Sequence, residues 1–187
     1  MDMTETAAYD PLLDFVNTRA DAGGRQELFG DGAALSAWMV DRHMSDGDPA
    51  TDADAASARE LRDALVTMLL GHSGEEMPKE DVEFAKRRLE RAGTLYPLTA
   101  RVDAGGVTLT SDQRGVARLL GTVLASVAVR ANRGEWDRIK ACRNPPCHFG
   151  FIDRTRNASG QYCSPACSSQ VSMRRYRARQ KEGLGEE

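Results

Sequence analysis

No stretch of this sequence approaches the ~18 uninterrupted apolar residues of a membrane span, so no membrane partner is expected. The opening residues, MDMTETAAYD, are acidic and lack the apolar core of a secretory leader. A soluble, cytoplasmic protein is therefore expected. There is no internal repeat, no low-complexity tract, no nucleophile motif and no phosphate loop. Histidine is scarce, and His43 and His72 are scattered, so the chain does not read as an enzyme and no catalytic residue is assigned. The first 141 residues contain no cysteine; all four, Cys142, Cys147, Cys163 and Cys167, lie in the last quarter. Without a secretory signal these thiols stay reduced. That argues against disulfides and leaves metal binding.

The net charge of −3 conceals an asymmetry. Residues 130–182 hold 12 Lys+Arg against 4 Asp+Glu, or +8, while residues 1–129 carry −9. An acidic body with a basic tail reads as a domain plus a module for an anionic partner. The alternative is a basic helix that is merely solvated.

The body reads as mainly helical with one β-hairpin. LLDFVNTR, around Leu12 to Arg19, is a short apolar element ending in a polar turn. Leu35, Trp38 and Met39 share one face of a short helix, with Asp31 as a cap and Trp38 as a core residue. Residues 44–54 read as loop. A longer helix is expected over about 55–70, with Ala58, Leu61, Leu65 and Met68 as its stripe and Gly71 ending it. Pro78 starts the next, turning Val82, Ala85 and Leu89 inward. Over 94–110 the period changes to two, with Asp103-Ala-Gly-Gly106 as the turn of a hairpin. Ser111 or Asp112 is expected to cap a core helix running to about Ala131, bearing Val116, Leu119, Leu120, Val123, Leu124 and Val127. The expected domains are 1–135, helical, and 136–187, a small finger.

The cysteines read C-x4-C-x15-C-x3-C. Thiolate pairs two to four residues apart chelate zinc, and the middle spacer is long enough for a hairpin that joins the pairs. All four are assigned as ligands of a structural Zn2+, with His148 a bystander because four thiolates fill a closed site. Pro145 and Pro146 stiffen the first turn and leave other amides to bond the sulfurs. Phe149, Phe151 and Ile152 supply apolar cover on short strands. Cys163-Ser-Pro-Ala-Cys167 opens a helix, with Ser164 as cap and Pro165 in its first turn. Knuckle, hairpin and ligand-bearing helix suggest a treble-clef-like module. The helix continues with Arg174, Arg175, Arg177, Arg179 and Lys181, while Met173 and Tyr176 are expected to pack inward. Such a metal-anchored cationic rod fits a DNA major groove; a surface for an acidic protein is the rival reading.

These residues resemble the CGNR zinc-finger family: Cys142, Pro145 and Cys147, then Phe151, Asp153, Arg156 and Asn157, then Cys163 and Cys167 before a basic helix. Upstream, Leu13-Asp14-Phe15-Val16-Asn17-Thr18, Trp38 and Arg59-x-Leu61-Arg62-x-Ala64-Leu65 resemble the ABATE domain that accompanies this finger. The resemblance implies a bacterial transcription regulator with a helical sensing domain, a small-molecule effector and a DNA-binding finger. Where the family has Gly-Asn-Arg after the last cysteine, this chain has Ser168, Ser169 and Gln170. Where it has two basic residues and a tryptophan before the third cysteine, Gly160, Gln161 and Tyr162 stand. Positive positions near the metal are thus missing, which bears on DNA affinity rather than on the metal. Asp14, Asn17 and Thr18 are candidates to line the effector site; the alternative is that they satisfy local backbone groups.

Overall fold

The computed structural model describes residues 10–21, 24–145 and 147–183. Pro146 of the expected knuckle turn and residues 1–9 of the acidic opening lie outside them. Helix α1, Pro11–Val16, is started by Asp10, whose carboxylate accepts from the amides of Leu12 and Leu13. Helix α2, Gly32–Asp41, starts at Asp31 as expected, and its Leu35, Trp38 and Met39 are buried. Helix α3, Asp52–His72, begins three residues before the expected start because Thr51 and Asp54 form a capping box. It also passes through Gly71 and leaves the helix at Ser73 and Gly74. Gly74, with φ +76°, takes the left-handed conformation that had been expected of Gly71.

Helix α4, Lys79–Leu95, follows Pro78. Strands β1, Thr99–Asp103, and β2, Gly106–Thr110, form the expected antiparallel hairpin, with Val102 opposite Val107. Val102 and Val107 are 76 % and 67 % exposed. Helix α5, Gly115–Asn132, is capped by neither Ser111 nor Asp112. Asp112 is drawn away by the Thr99 hydroxyl and Arg101. Asp46, from the loop before α3, accepts the Gly115 amide at 2.7 Å instead, a partner distant in sequence.

The core forms where α1, α3 and α5 meet. Leu12, Phe15, Leu65, Leu69, Leu119 and Leu120 are fully buried, and burial of each such side chain is worth roughly 1.5–3 kcal/mol. Phe29 enters from the loop between α1 and α2 and packs on Phe15 and, edge-on, on Trp38. Two arginines of α3 hold that loop. Arg62, buried, binds both carboxylate oxygens of Glu27 at 2.6 and 2.9 Å and the Thr18 hydroxyl, and Arg59 binds the carbonyls of Phe29 and Gly30. Burial raises the Glu27 pKa, but the Arg62 bond, the Phe29 amide and the charges of Arg62 and Arg59 together outweigh it and the net shift is downward.

After a 3-10 turn at Trp136–Arg138, strand β3, Ile139–Ala141, enters this same core; Ile139 and Ala141 are fully buried. It pairs antiparallel with β4, Gly150–Ile152. The last helix, α6, spans Pro165–Gly183. Among the described residues no helix is long and apolar enough to cross a membrane.

Candidate metal centre and nucleic-acid interface

The second hairpin flanks the first cysteine pair instead of filling the spacer between pairs. β3 delivers Cys142 and β4 departs after Cys147, so the knuckle is the hairpin's own loop. The Cys142 amide donates to the Phe149 carbonyl at 2.9 Å, and the Asn144 carbonyl accepts from the amides of Cys147 and His148. The Arg143 amide donates to the Gln161 carbonyl at 3.0 Å, which carries the chain back beside the knuckle two residues before Cys163. The Ser164 hydroxyl then caps α6 by accepting the Cys167 amide, with Pro165 in the first turn as expected.

All four sulfurs lie within 4.8 Å of one another. Cys147 Sγ is 3.7 Å from Cys163 Sγ, which is 3.8 Å from Cys167 Sγ. A tetrahedron with zinc–sulfur bonds of ~2.3 Å has edges of about 3.8 Å, so the donor set fits a structural Zn2+. Burial and the neighbouring Cys142 push the Cys147 thiol up to about 11, and the same causes raise that of Cys163. For Cys167 burial acts in the same direction. Bonds from Asn144, Ser164 and the neighbouring Cys163 and Cys147 together prevail, and its thiol falls to about 7. The Phe149 amide bonds the Cys147 sulfur, meeting the need for a donor other than the prolines. Charging four adjacent thiolates requires a cation, so metal uptake expels protons. His148 is not part of the cluster; burial lowers its pKa, and its Nδ1 is buried without a hydrogen-bond partner among the described residues.

Two polar anchors of the finger were not assigned a role from the sequence. Asn144 is buried; its amide nitrogen donates to Gln170 Oε1 at 2.9 Å and its oxygen accepts from Arg174. Gln170, one of the departures from the family pattern, thus braces the knuckle. Asp153, also buried, accepts from Lys140 Nζ at 2.8 Å, from the amide and hydroxyl of Thr155, and from the Gly160 amide. Burial pushes its pKa up, but these bonds carry it far below the carboxylate range. A Cβ on Gly160 would lie 2.8 Å from the Asp153 carboxyl carbon, so the residue that replaces a family cation is needed for closure of this loop. The signal in the sequence was slight: a lone asparagine inside the knuckle and an aspartate followed by a polar turn.

The finger is stitched to the body. The Ser73 hydroxyl donates to the Ala141 carbonyl at 2.6 Å, and His72 Nδ1 lies 2.8 Å from the Ile139 carbonyl. Arg143 pairs with Glu75 at 2.7 Å. The Asn17 side chain pairs with the Gly150 backbone in both directions, at 2.7 and 3.1 Å, as a neighbouring strand would. A Cβ on Gly150 would lie 2.6 Å from Val16.

The residues expected near an effector are engaged by the protein itself. Asp14 pairs with Arg42, Asn17 with Gly150, and Thr18 with the Phe15 carbonyl and Arg62. The basic helix departs from expectation in one respect. Met173 and Tyr176 do not pack inward; they are 51 % and 53 % exposed, because α6 leaves the finger surface after Val171 and residues 172–181 are all exposed. Arg174 reaches back to Asn144. Arg175, Arg177, Arg179 and Lys181 have no carboxylate partner among the described residues. Arg154 and Arg156 are exposed on the adjoining loop.

Two family models match the chain. The ABATE model, described as "Putative stress-induced transcription regulator", matches residues 9–134. The CGNR zinc finger model matches residues 138–180. Neither description is of an enzyme. No curated protein matches the chain.

Proposed function

This chain belongs to the ABATE family, and we propose that it regulates transcription by laying its zinc-anchored C-terminal helix on DNA. The observation that carries this reading is the state of α6: its first turn is fixed by Cys167, while residues 172–181 are all exposed and carry five cations. An exposed run of this length is marginal as an isolated helix; the metal and the Asn144 anchor supply its start. Zinc acts here as scaffold, because four thiolates leave no position for water or substrate. The family description of a transcription regulator supports DNA as the partner. The division of labour follows the expected domains, with residues 1–135 as the sensing body and 136–187 as the finger.

Gating by a small molecule has a physical route in α3. Its C-terminal end holds β3 through His72 and Ser73, so a shift of α3 moves the strand that leads into Cys142. A second reading, an adaptor for an acidic protein, draws on the exposed Met173 and Tyr176.

The test is DNA affinity as a function of salt, with selection from random duplex pools. Each phosphate contact contributes about −0.9 to the slope of log K against log salt, so Arg175→Ala with Arg177→Ala flattens it by roughly two units. Arg174→Ala acts differently, by loosening the knuckle through Asn144. Zinc-loaded protein that selects no sequence even at low salt, yet recovers an acidic protein only when α6 is intact, overturns the regulator reading in favour of the adaptor.

A further inference from the structure

Beside the seam between α3 and α4 lies a hollow of about 300 Å³. Its floor follows from residue size. Ala85 and Ala92 are the buried residues of α4, and small side chains there let the helices approach closely, leaving the longer ones beside them as walls. Phe84, Arg87, Arg88, Arg91 and Leu95 recur at helical spacing along that edge of α4 and face Ser57, Glu60 and Leu61 of α3, with Tyr96 at one end. Two features of this wall are open to solvent. Phe84 and Leu95 are 51 % and 48 % exposed, an unusual allowance for large apolar groups on a packed helix. Arg87 and Arg91 make no direct ion pair among the described residues, although the Arg87 charge is felt by Glu83, whereas Arg88 pairs with Glu60 at 3.1 Å. Three arginines and one carboxylate line the hollow, with Glu83 beside Arg87 and Asp54 beside Tyr96, so its wall is locally cationic within a body that carries −9 overall.

Apolar and cationic groups are arranged as one surface. Arg88 lies over the Phe84 ring at 4.4 Å and Arg87 at 6.0 Å, and the ring remains half exposed. Phe84 also borders a second hollow whose charged lining is Asp63, Asp81, Glu60 and Arg88, three carboxylates to one cation. An anion is attracted to the first and repelled by the second, so its position is defined.

We propose that the α3–α4 hollow binds a small organic anion with an apolar body, an aromatic carboxylate of roughly 10–15 non-hydrogen atoms. Its ring covers Phe84 and Leu95, and its carboxylate meets Arg87 and Arg91 in charge-assisted hydrogen bonds. Binding rests on the hollow alone; its role as the effector rests on the regulator reading above. The location suits that role, because the same helix that lines the hollow with Ser57, Glu60 and Leu61 holds β3 with His72 and Ser73.

The probe is 1-naphthoate, titrated calorimetrically into the full zinc-loaded chain at low salt, with naphthalene-1-carboxamide and sulfate as comparisons. Saturable one-site binding of naphthoate is expected. The carboxamide, which lacks the charge, and sulfate, which lacks the ring, should each bind at least about tenfold more weakly. Arg87→Ala with Arg91→Ala should weaken naphthoate by a similar factor, as should Phe84→Ala. All three side chains are exposed, and unchanged circular dichroism establishes that the variants fold. Absence of saturation, equal binding of the carboxamide, or undiminished binding by the double variant overturns the inference. So does a loss of DNA affinity in that variant without naphthoate, which would assign the arginines to nucleic acid. DNA affinity measured with and without naphthoate separates the two claims: binding that leaves DNA affinity unchanged keeps the site and removes the gating.

Discussion

Asp153 and Lys140 form a charge pair whose side chains are 1 % and 3 % exposed. Removing one member of such a pair strands the other in a medium that solvates it poorly. Asp153→Asn is therefore expected to destabilise the finger by about 3–5 kcal/mol, read by urea unfolding of the zinc-loaded chain. The pKa of Asp153 is depressed below the ordinary 3.8, so its contribution is complete above that value and is lost only as pH falls below it. The gap between wild type and variant should thus stay constant from pH 8 to pH 5; a gap that closes across this range would show that another group titrates in its place. The four cysteines were legible in the sequence because their spacing alone encodes a chelate. Asn144, Lys140 and Asp153 were not, since each is defined by what a distant segment brings to it: Gln170 and Arg174 for one, Gly160 for the others. Asp14, Asn17 and Thr18 show the same limit, because polarity marked them while Arg42, Gly150 and Arg62 supply their partners.

Helices were legible from their apolar stripes, and their ends less so. Gly71 and Gly74 separate the two roles a glycine can have near a helix terminus. Gly71 is helical, exposed, and has open space where a Cβ would stand. Gly71→Ala should therefore stabilise the protein by about 0.5–1 kcal/mol, mainly by restricting the unfolded chain. Gly74 has φ +76°, and Gly74→Ala should destabilise it by about 1–2 kcal/mol. Opposite shifts in thermal midpoint are expected; a loss of stability in both would mean that Gly71 terminates α3 after all. The cap of α5 illustrates why such ends resist reading. Local candidates existed, but Asp46 came from 69 residues away. The first hairpin was easier, because Asp103-Ala-Gly-Gly106 encodes its own turn and Gly106, at φ +135°, adopts the backbone that turn requires.

Across the whole molecule, the acidic body and basic tail could be read from charge alone, but not how the two are joined. β3 lies in the residues matched by the finger, and Ile139 and Ala141 lie in the core of the body. Loss of zinc should accordingly divide the finger. In Cys163→Ser, amides of residues 163–180 should lose protection from hydrogen exchange, because α6 depends on the metal for its start. Those of β3 and of residues 55–70 should keep theirs, held by Ser73 and the apolar core. Equal loss in all three windows would show a single cooperative unit.

The free length of α6 converts small displacements at its root into large ones at its tip. From Cys167 to Lys181 the helix rises about 21 Å. A tilt of about 10° at the knuckle therefore carries Lys181 nearly 4 Å, comparable with the ~3.4 Å rise along the duplex axis per phosphate of one strand. A rod fixed at one end acts as a pointer: under the DNA-binding function proposed above, a rearrangement too slight to disturb the sulfur cluster moves its arginines by about one step of that rise.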